Sequence, residues 1–128
     1  MMTAKMMSVG RRAFFSTAAI FNGSVGFLLL AIPQVFYLLT ALQEPDRLFE
    51  TRIVGWMILV FGALYFVTAT SPTTPRSLIT LFAIGKLGAT AFIVTYWANG
   101  SMNLLGLAVG AADFLWALGF LYYSRPMT

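Results

Sequence analysis

Four long apolar runs, separated by short polar segments, dominate the pattern of this sequence. Each run is about as long as the 20 or so residues with which an α-helix crosses a hydrocarbon core of about 30 Å. The pattern predicts an all-α fold, a bundle of four transmembrane helices with a short amphipathic N-terminal segment. The predicted membrane domain covers residues 18–124, with spans at about 20–41, 53–69, 78–97 and 104–123.

The polar segments predict where these helices end. Residues 99–103 form a short polar turn, residues 43–52 carry mixed charges, and residues 70–77 contain two prolines that indicate a stop and a restart. Pro33 lies inside the first predicted span. Because a membrane helix tolerates proline, we expect Pro33 to kink this span without ending it.

Residues 1–17 predict a basic amphipathic lead that lies at the membrane surface. At helical spacing, one side carries apolar residues and another carries polar and basic ones, namely Met2, Met6, Val9 and Ala13 against Lys5, Ser8, Arg12 and Ser16. A basic amphipathic helix of this kind lies in the plane of an anionic leaflet. We therefore expect an interfacial helix that precedes the first span.

The composition favours a membrane protein over a nucleic-acid-binding one. Hydrophobic residues make up 59% of the 128 residues and charged residues 9%, whereas a soluble domain has roughly 25% charged residues. The net charge is +4, but the basic residues flank the apolar runs and do not alternate with aromatic residues as in single-strand binders. The predicted partner is the lipid bilayer, with no nucleic acid.

The basic residues outside the spans predict the orientation. With four spans, one side of the membrane holds Lys5, Arg11, Arg12, Arg76 and Arg125, and the other holds Arg47 and Arg52. Because cytoplasmic segments carry the excess of positive charge, the sequence predicts a multi-pass protein of the cell membrane, a bacterial inner membrane, with both termini cytoplasmic.

The chain offers few groups for chemistry. It contains neither cysteine nor histidine, which excludes thiol nucleophiles, disulfides, zinc sites of the usual kind and haem ligation by these residues. Three of its four acids, Glu44, Asp46 and Glu50, lie in one loop. The sequence therefore predicts no cofactor and no metal site, and it argues against an enzyme.

Two charged residues nevertheless lie within predicted spans: Lys86 in the third and Asp113 in the fourth. In antiparallel helices joined by the short turn, their depths differ by only a few ångströms at about 1.5 Å per residue. A charge inside a membrane is costly, usually paired, and by default marks a functional site. We predict an ion pair between Lys86 and Asp113.

Small and polar residues fall on the faces that we expect to point inward. Gly55 and Gly62 form a small-residue stripe in the second span, and Gly106 and Gly110 form a small-xxx-small motif in the fourth. Gly85 and Gly88 flank the lysine, where they would let a neighbouring backbone approach. The candidates for a polar lining are Asn22, Tyr37, Tyr65 and Thr90.

Three segments carry a resemblance to small four-helix membrane proteins of bacteria, loosely those of the DoxX type: Phe61–Tyr65, Gly85–Gly88 and Gly110–Asp113. The resemblance covers residues 20–124 and implies a four-helix membrane fold. Small multidrug transporters are similar in size, but they use a carboxylate in the first span, which has none here. Fluoride channels are also similar in size, but they rely on inverted pairs with weak charge bias.

Three functions are compatible with this sequence. The leading hypothesis is a structural, accessory or assembly component in which the ion pair of Lys86 and Asp113 locks two helices together. The alternative is a proton-coupled small-solute transporter or channel protomer, which would act as an oligomer through the face of Gly106 and Gly110. The third is an intramembrane enzyme or lipid-binding module. A homo-oligomer or a membrane-protein partner fits the first two hypotheses.

Overall fold

The computed structural model describes the backbone of residues 4–126 and the side chains of residues 8–126. These residues form five α-helices and no strand: α1 (Ala4–Ala31), α2 (Pro33–Thr40), α3 (Phe49–Thr70), α4 (Arg76–Ala98) and α5 (Leu104–Tyr123). Four helices of the described region are long and apolar enough to cross a membrane. The all-α class is confirmed, and these helices indicate a multi-pass membrane protein. The side chains of Met2, Lys5 and Met6 lie outside the described residues.

The first predicted span has different limits in the structure. α1 is one continuous helix of 28 residues, so the predicted lead and the start of the predicted span belong to the same helix. Among the residues with described side chains, the stretch of α1 that is long and apolar enough to cross a membrane is Ser8–Ala31, whereas the predicted span, residues 20–41, runs on into α2. The expectation that Pro33 only kinks the helix is wrong: Ile32 is not helical, because the residue before a proline is disfavoured in the α conformation, and Pro33 begins α2.

The other three spans lie close to their predicted limits. α3 and α4 extend their predicted spans by no more than four residues at either end, and α5 begins and ends where predicted. A turn at Gly100, whose φ of +84° suits glycine, follows α4. Asn103 then caps α5 by accepting a hydrogen bond from the backbone N–H of Gly106.

The first compact unit of the structure pairs α1 with α3. The helices run antiparallel, since residues near the start of α1 meet the end of α3 and residues near the end of α1 meet its start. Their contact is close: a Cβ atom on Gly55 would lie 2.6 Å from the backbone N of Leu30, and one on Gly26 would lie 2.6 Å from the backbone N of Leu59. The missing side chains therefore allow two helix backbones to touch, as small residues do in membranes.

The second compact unit pairs α4 with α5 and contains most of α2. α4 and α5 are also antiparallel, but side chains separate their backbones. The buried residues follow helical spacing on each facing side: Ile79, Phe82, Ala83 and Lys86 on α4, and Gly106, Gly110, Asp113, Ala117 and Phe120 on α5. This α5 set includes Gly106, Gly110 and Asp113, the three residues of the fourth span that the sequence singled out.

Large apolar side chains cover the outside of both units. Examples are Phe66 on α3, Phe92 on α4 and Leu115 on α5, with exposed fractions of 57%, 71% and 66%. A soluble monomer rarely exposes such continuous apolar surface. Hydrocarbon around these helices would remove that surface from water, so the exposed faces are compatible with a lipid bilayer.

Candidate functional site

The structure contains the predicted ion pair inside the second unit. Lys86 Nζ donates a hydrogen bond to Asp113 Oδ1 over 2.7 Å, which is the short geometry of a charge-assisted bond. Both side chains are 9% exposed. Lys86 is the eleventh of 23 residues in α4 and Asp113 the tenth of 20 in α5. The pair therefore lies near the middle of both helices, where a lone charge would be most costly.

Aromatic side chains pack one helical turn or two from the pair. The rings of Phe82 and Phe120 meet edge to face, with centroids 5.7 Å apart, and both residues are at most 2% exposed. Phe82 is one turn before Lys86 in α4, and Phe120 is two turns after Asp113 in α5. This apolar contact joins the same two helices as the ion pair does.

Thr90, one helical turn after Lys86 in α4, donates to backbone oxygens of both α4 and α5. Its hydroxyl lies 2.9 Å from the carbonyl O of Lys86 and 3.3 Å from the carbonyl O of Gly110. The second contact crosses from α4 to α5. Of the four residues predicted as polar lining, Thr90 is the one that the structure brings beside Lys86 and Asp113 within one unit.

The other three predicted lining residues have different environments. Asn22 is 5% exposed in the first unit, and its Nδ2 donates to the carbonyl O of Ile58 in α3 over 3.3 Å. Tyr65 is 3% exposed in the same unit, and Tyr37 is half-buried in α2. Asn22 thus serves as a hydrogen-bonded helix contact, in agreement with its position facing α3.

The glycines of α5 are used inside the second unit. A Cβ atom on Gly110 would lie 2.7 Å from Cγ2 of Ile93, and one on Gly106 would overlap the side chain of Met102. Gly110 therefore makes the predicted helix contact within the chain, against α4, whereas Gly106 packs on Met102 in the turn before α5.

The expectation for Gly85 and Gly88 is wrong. Both are exposed, and no described atom lies within 4 Å of the place that a Cβ atom would occupy on either one. The Lys86 side chain leaves α4 on the buried side, while the glycines on either side of it project elsewhere around the helix. In contrast, Gly55 and Gly62 are buried in a close helix contact as predicted. Their partner is α1, with Gly62 against Gly23 and Ala19.

Two arginines have roles in the first unit that the sequence did not reveal. Arg11 of α1 donates to the carbonyl O atoms of Thr68 and Ser71 over 2.7 and 3.3 Å, at the end of α3. Arg52 of α3 donates to the carbonyl O of Leu30 over 2.8 Å, at the end of α1. Each arginine satisfies carbonyls at the C-terminus of the opposite helix and complements its dipole.

Asn103 is the second feature that the sequence did not reveal. Besides capping α5, its Nδ2 donates to the carbonyl O of Leu39 over 2.8 Å, and its backbone N–H donates to the carbonyl O of Thr40 over 3.0 Å. These bonds attach the end of α2 to the start of α5. Polar turns commonly contain asparagine, so its type alone did not indicate a contact 64 residues away.

The chemistry of this site is that of a satisfied salt bridge. Within the described side chains, no buried nitrogen or oxygen lacks a hydrogen-bond partner. No group of three acidic, histidine or cysteine residues gathers into a metal site among them. What the arrangement can do is hold α4 against α5, or exchange a proton between Lys86 and Asp113 if a route for protons reaches it.

Comparison with known proteins does not assign a function to this site. No protein-family model, no curated protein and no solved structure matches the chain. The resemblance to DoxX-type membrane proteins therefore stays a prediction, and what the protein does must be argued from its own residues.

Proposed function

We propose that this protein is a structural or accessory component of a cell membrane, in which the ion pair of Lys86 and Asp113 fixes α4 against α5. The single observation that carries the proposal is the direct 2.7 Å contact between the two charges at 9% exposure. A buried pair that is broken by losing one partner strongly destabilises a protein. Such a pair is therefore suited to holding one arrangement of two helices.

The surroundings of the pair favour a structural role over a transport role. Asp113 is hydrogen-bonded to its counter-ion, and the packed rings of Phe82 and Phe120 lie on the same helix faces. The glycine face that would join protomers of a transporter is occupied by Ile93 and Met102. A transport cycle would have to separate the pair and repack these contacts at each turnover.

A flux measurement tests this function directly. Wild-type protein in proteoliposomes with an internal pH dye should pass no more protons than empty liposomes, with and without added Na⁺ or K⁺. The charge-free double variant, Lys86→Met with Asp113→Leu, is the matched control. Flux in the wild type that disappears in this control would contradict the structural role and establish the transporter hypothesis.

Complementation of a deletion strain provides a second test, in which the double variant is expected to work. Where deletion of the gene gives a growth or envelope defect, the double variant should restore it as well as the wild type does, provided that it is present at the same level. This result is expected because a structural pair can be replaced by apolar side chains that keep the helices together. A folded but inactive double variant would reject the proposal.

We place the protein in the cell membrane, an inner membrane in a bacterium, with both termini cytoplasmic. The support is the distribution of basic residues, five against two, on the two sides of a four-span arrangement. The chain lacks cysteine, so single cysteines can be introduced cleanly at Ser8 and Ser101. An impermeant thiol reagent should label Ser101→Cys from outside and Ser8→Cys only after lysis; labelling of both from one side would exclude this topology.

A further inference from the structure

A groove on the exposed side of α1 is separate from the site described above. It has a volume of about 450 Å³ and is lined by Ser8, Val9, Arg12, Ala13 and Ser16. Ser8, Arg12 and Ser16 follow one another at intervals of four residues, so they form a polar row in which neighbours are about 6 Å apart along the helix axis. Val9 and Ala13 give the same groove an apolar side.

Arg12 differs sharply from its neighbour Arg11. Arg11 is engaged by two carbonyl groups at the end of α3 and by the ring of Phe15, whose centroid lies 5.1 Å from its guanidinium carbon. Arg12 is exposed and makes no hydrogen bond or ion pair with any described side chain or backbone group, and the same holds for the hydroxyls of Ser8 and Ser16. The groove therefore presents one cation and two hydroxyls that no other group among the described side chains, residues 8–126, engages.

The depth of the groove restricts what can occupy it. The first long run without charged residues begins at Ala13, directly after Arg12, so Arg12 lies at the end of the apolar part of α1, where a membrane helix meets the headgroups. The polar headgroup region on each side of a bilayer is about 5–8 Å thick. A guanidinium at this depth extends towards the headgroups, while its stem stays along the apolar surface. An occupant must then be anionic at one end and apolar at the other.

We infer that this groove binds the headgroup phosphate of an anionic phospholipid. The Arg12 guanidinium donates to the phosphate oxygens in the two-point geometry that arginine favours. The hydroxyls of Ser8 and Ser16 donate to the remaining phosphate and glycerol oxygens, and Val9 and Ala13 contact the first methylene groups of the acyl chains. The net charge of +4 of the whole chain attracts the same lipid class.

Lipid retention in nanodiscs tests this site. Protein in discs of equal phosphatidylglycerol and phosphatidylcholine is released into mild detergent, and the lipids that stay bound are counted by native mass spectrometry. The wild type should retain phosphatidylglycerol in preference to phosphatidylcholine, and Arg12→Gln should lower this preference about fivefold, the value of one basic residue at an anionic surface. The matched control, Arg76→Gln, removes another exposed arginine at the start of α4 and should lower the preference by a clearly smaller factor.

A second variant separates a built site from general charge attraction. Ser8→Ala with Ser16→Ala keeps every charge and should lower the preference by a smaller factor than Arg12→Gln. If Arg12→Gln fails to fold, as judged by size-exclusion elution and helical circular dichroism, this serine variant decides alone, and an unchanged preference overturns the site. Equal losses in Arg12→Gln and Arg76→Gln also overturn it, as does a wild type that prefers neither lipid or that binds inorganic phosphate but not phosphatidylglycerol.

Discussion

The two helix pairs of this protein meet in different ways. In the pair of α1 and α3, a Cβ atom on Gly55 would lie 2.6 Å from a backbone nitrogen, whereas in the pair of α4 and α5, one on Gly110 would lie 2.7 Å from a side-chain methyl of Ile93. The distances are almost equal, but the neighbours are not. Backbone cannot move without disturbing a helix, whereas the obstacle in the second pair is a side chain, which a substitution can shorten.

The difference shows where a membrane protein of this kind can place charge. Backbones in contact leave no volume for a long side chain between them, so the arginines of the first pair lie at its ends, Arg11 on the end of α3 and Arg52 on the end of α1. The second pair, where a side chain of α4 packs on the glycine of α5, holds lysine and aspartate at its centre. Four variants or pairs of variants can break or sharpen this comparison, described below from the largest expected effect to the smallest.

The largest loss should come from removing one charge of the second pair. Lys86→Met or Asp113→Leu alone strands the other charge in a low-dielectric interior, and breaking a buried pair in this way costs about 3–5 kcal/mol. Thermal unfolding in detergent, followed by circular dichroism, measures the loss. The control is Arg47→Gln in the loop before α3, where the arginine is exposed and its removal should change stability little. Single variants as stable as this control would contradict a tightly coupled pair.

The next largest effect should be a difference in stability between two alanine variants in the pair of α1 and α3. Gly55→Ala places Cβ against the backbone N of Leu30 and should lose about 1–3 kcal/mol, the usual cost of overpacking. Gly23→Ala adds the same methyl where no described atom lies within 4 Å, and it should be neutral or slightly stabilising because alanine favours helix. Thermal unfolding of the two variants side by side measures the difference. Equal stabilities would show that close backbone contact does not hold the first pair.

The pair of α4 and α5 should tolerate a methyl group on residue 110 once the side chain of Ile93 is shortened. Gly110→Ala drives Cβ against Cγ2 of Ile93 and should lose about 1–2 kcal/mol through overpacking. Ile93→Ala, which removes that methyl, should recover much of the loss in the double variant because the obstacle is a side chain. The unfolding temperatures of the single and double variants measure this recovery. Losses that simply add would mean that the two side chains do not share one space.

The smallest effect should come from the attachment of α2 at Asn103. Asn103→Asp keeps an oxygen that can cap α5 but loses the donor to Leu39, whereas Asn103→Ala loses both bonds. We expect a loss of about 1 kcal/mol for alanine, the usual value of a helix cap, and a smaller one for aspartate. Hydrogen exchange at residues 34–40 reports the loss of the attachment. The result that would contradict this role is unchanged protection of those residues in both variants.

The parts of the fold that were predictable from the sequence are those with a strong one-dimensional signal. The two charges within apolar spans predicted the pair, because nothing else in those spans could neutralise them, and the small-xxx-small motif predicted that Gly106 and Gly110 are buried. The first span was misplaced because the apolar run continues past Pro33, so hydropathy did not show where the helix ends. Because membrane helices tolerate proline, the sequence favoured a kink at Pro33 over a break in the helix.

The rest depends on contacts between distant segments. Arg11 and Arg12 are alike in sequence, and only the position of the end of α3 makes one a helix cap and leaves the other exposed. Gly85 and Gly88 carry the same small-residue signal as Gly55, yet no neighbour within 4 Å approaches them. A glycine pattern shows that a backbone could approach, but it does not show whether one does.

The most direct test of the account is a double-mutant cycle on Lys86 and Asp113. The free energies of unfolding of the wild type, Lys86→Met, Asp113→Leu and the double variant give the energy that couples the two side chains. The account predicts that the double variant is more stable than either single variant, since its interior contains no stranded charge. If the two single losses add to within about 0.5 kcal/mol, the two charges do not hold α4 against α5, and the central claim is wrong.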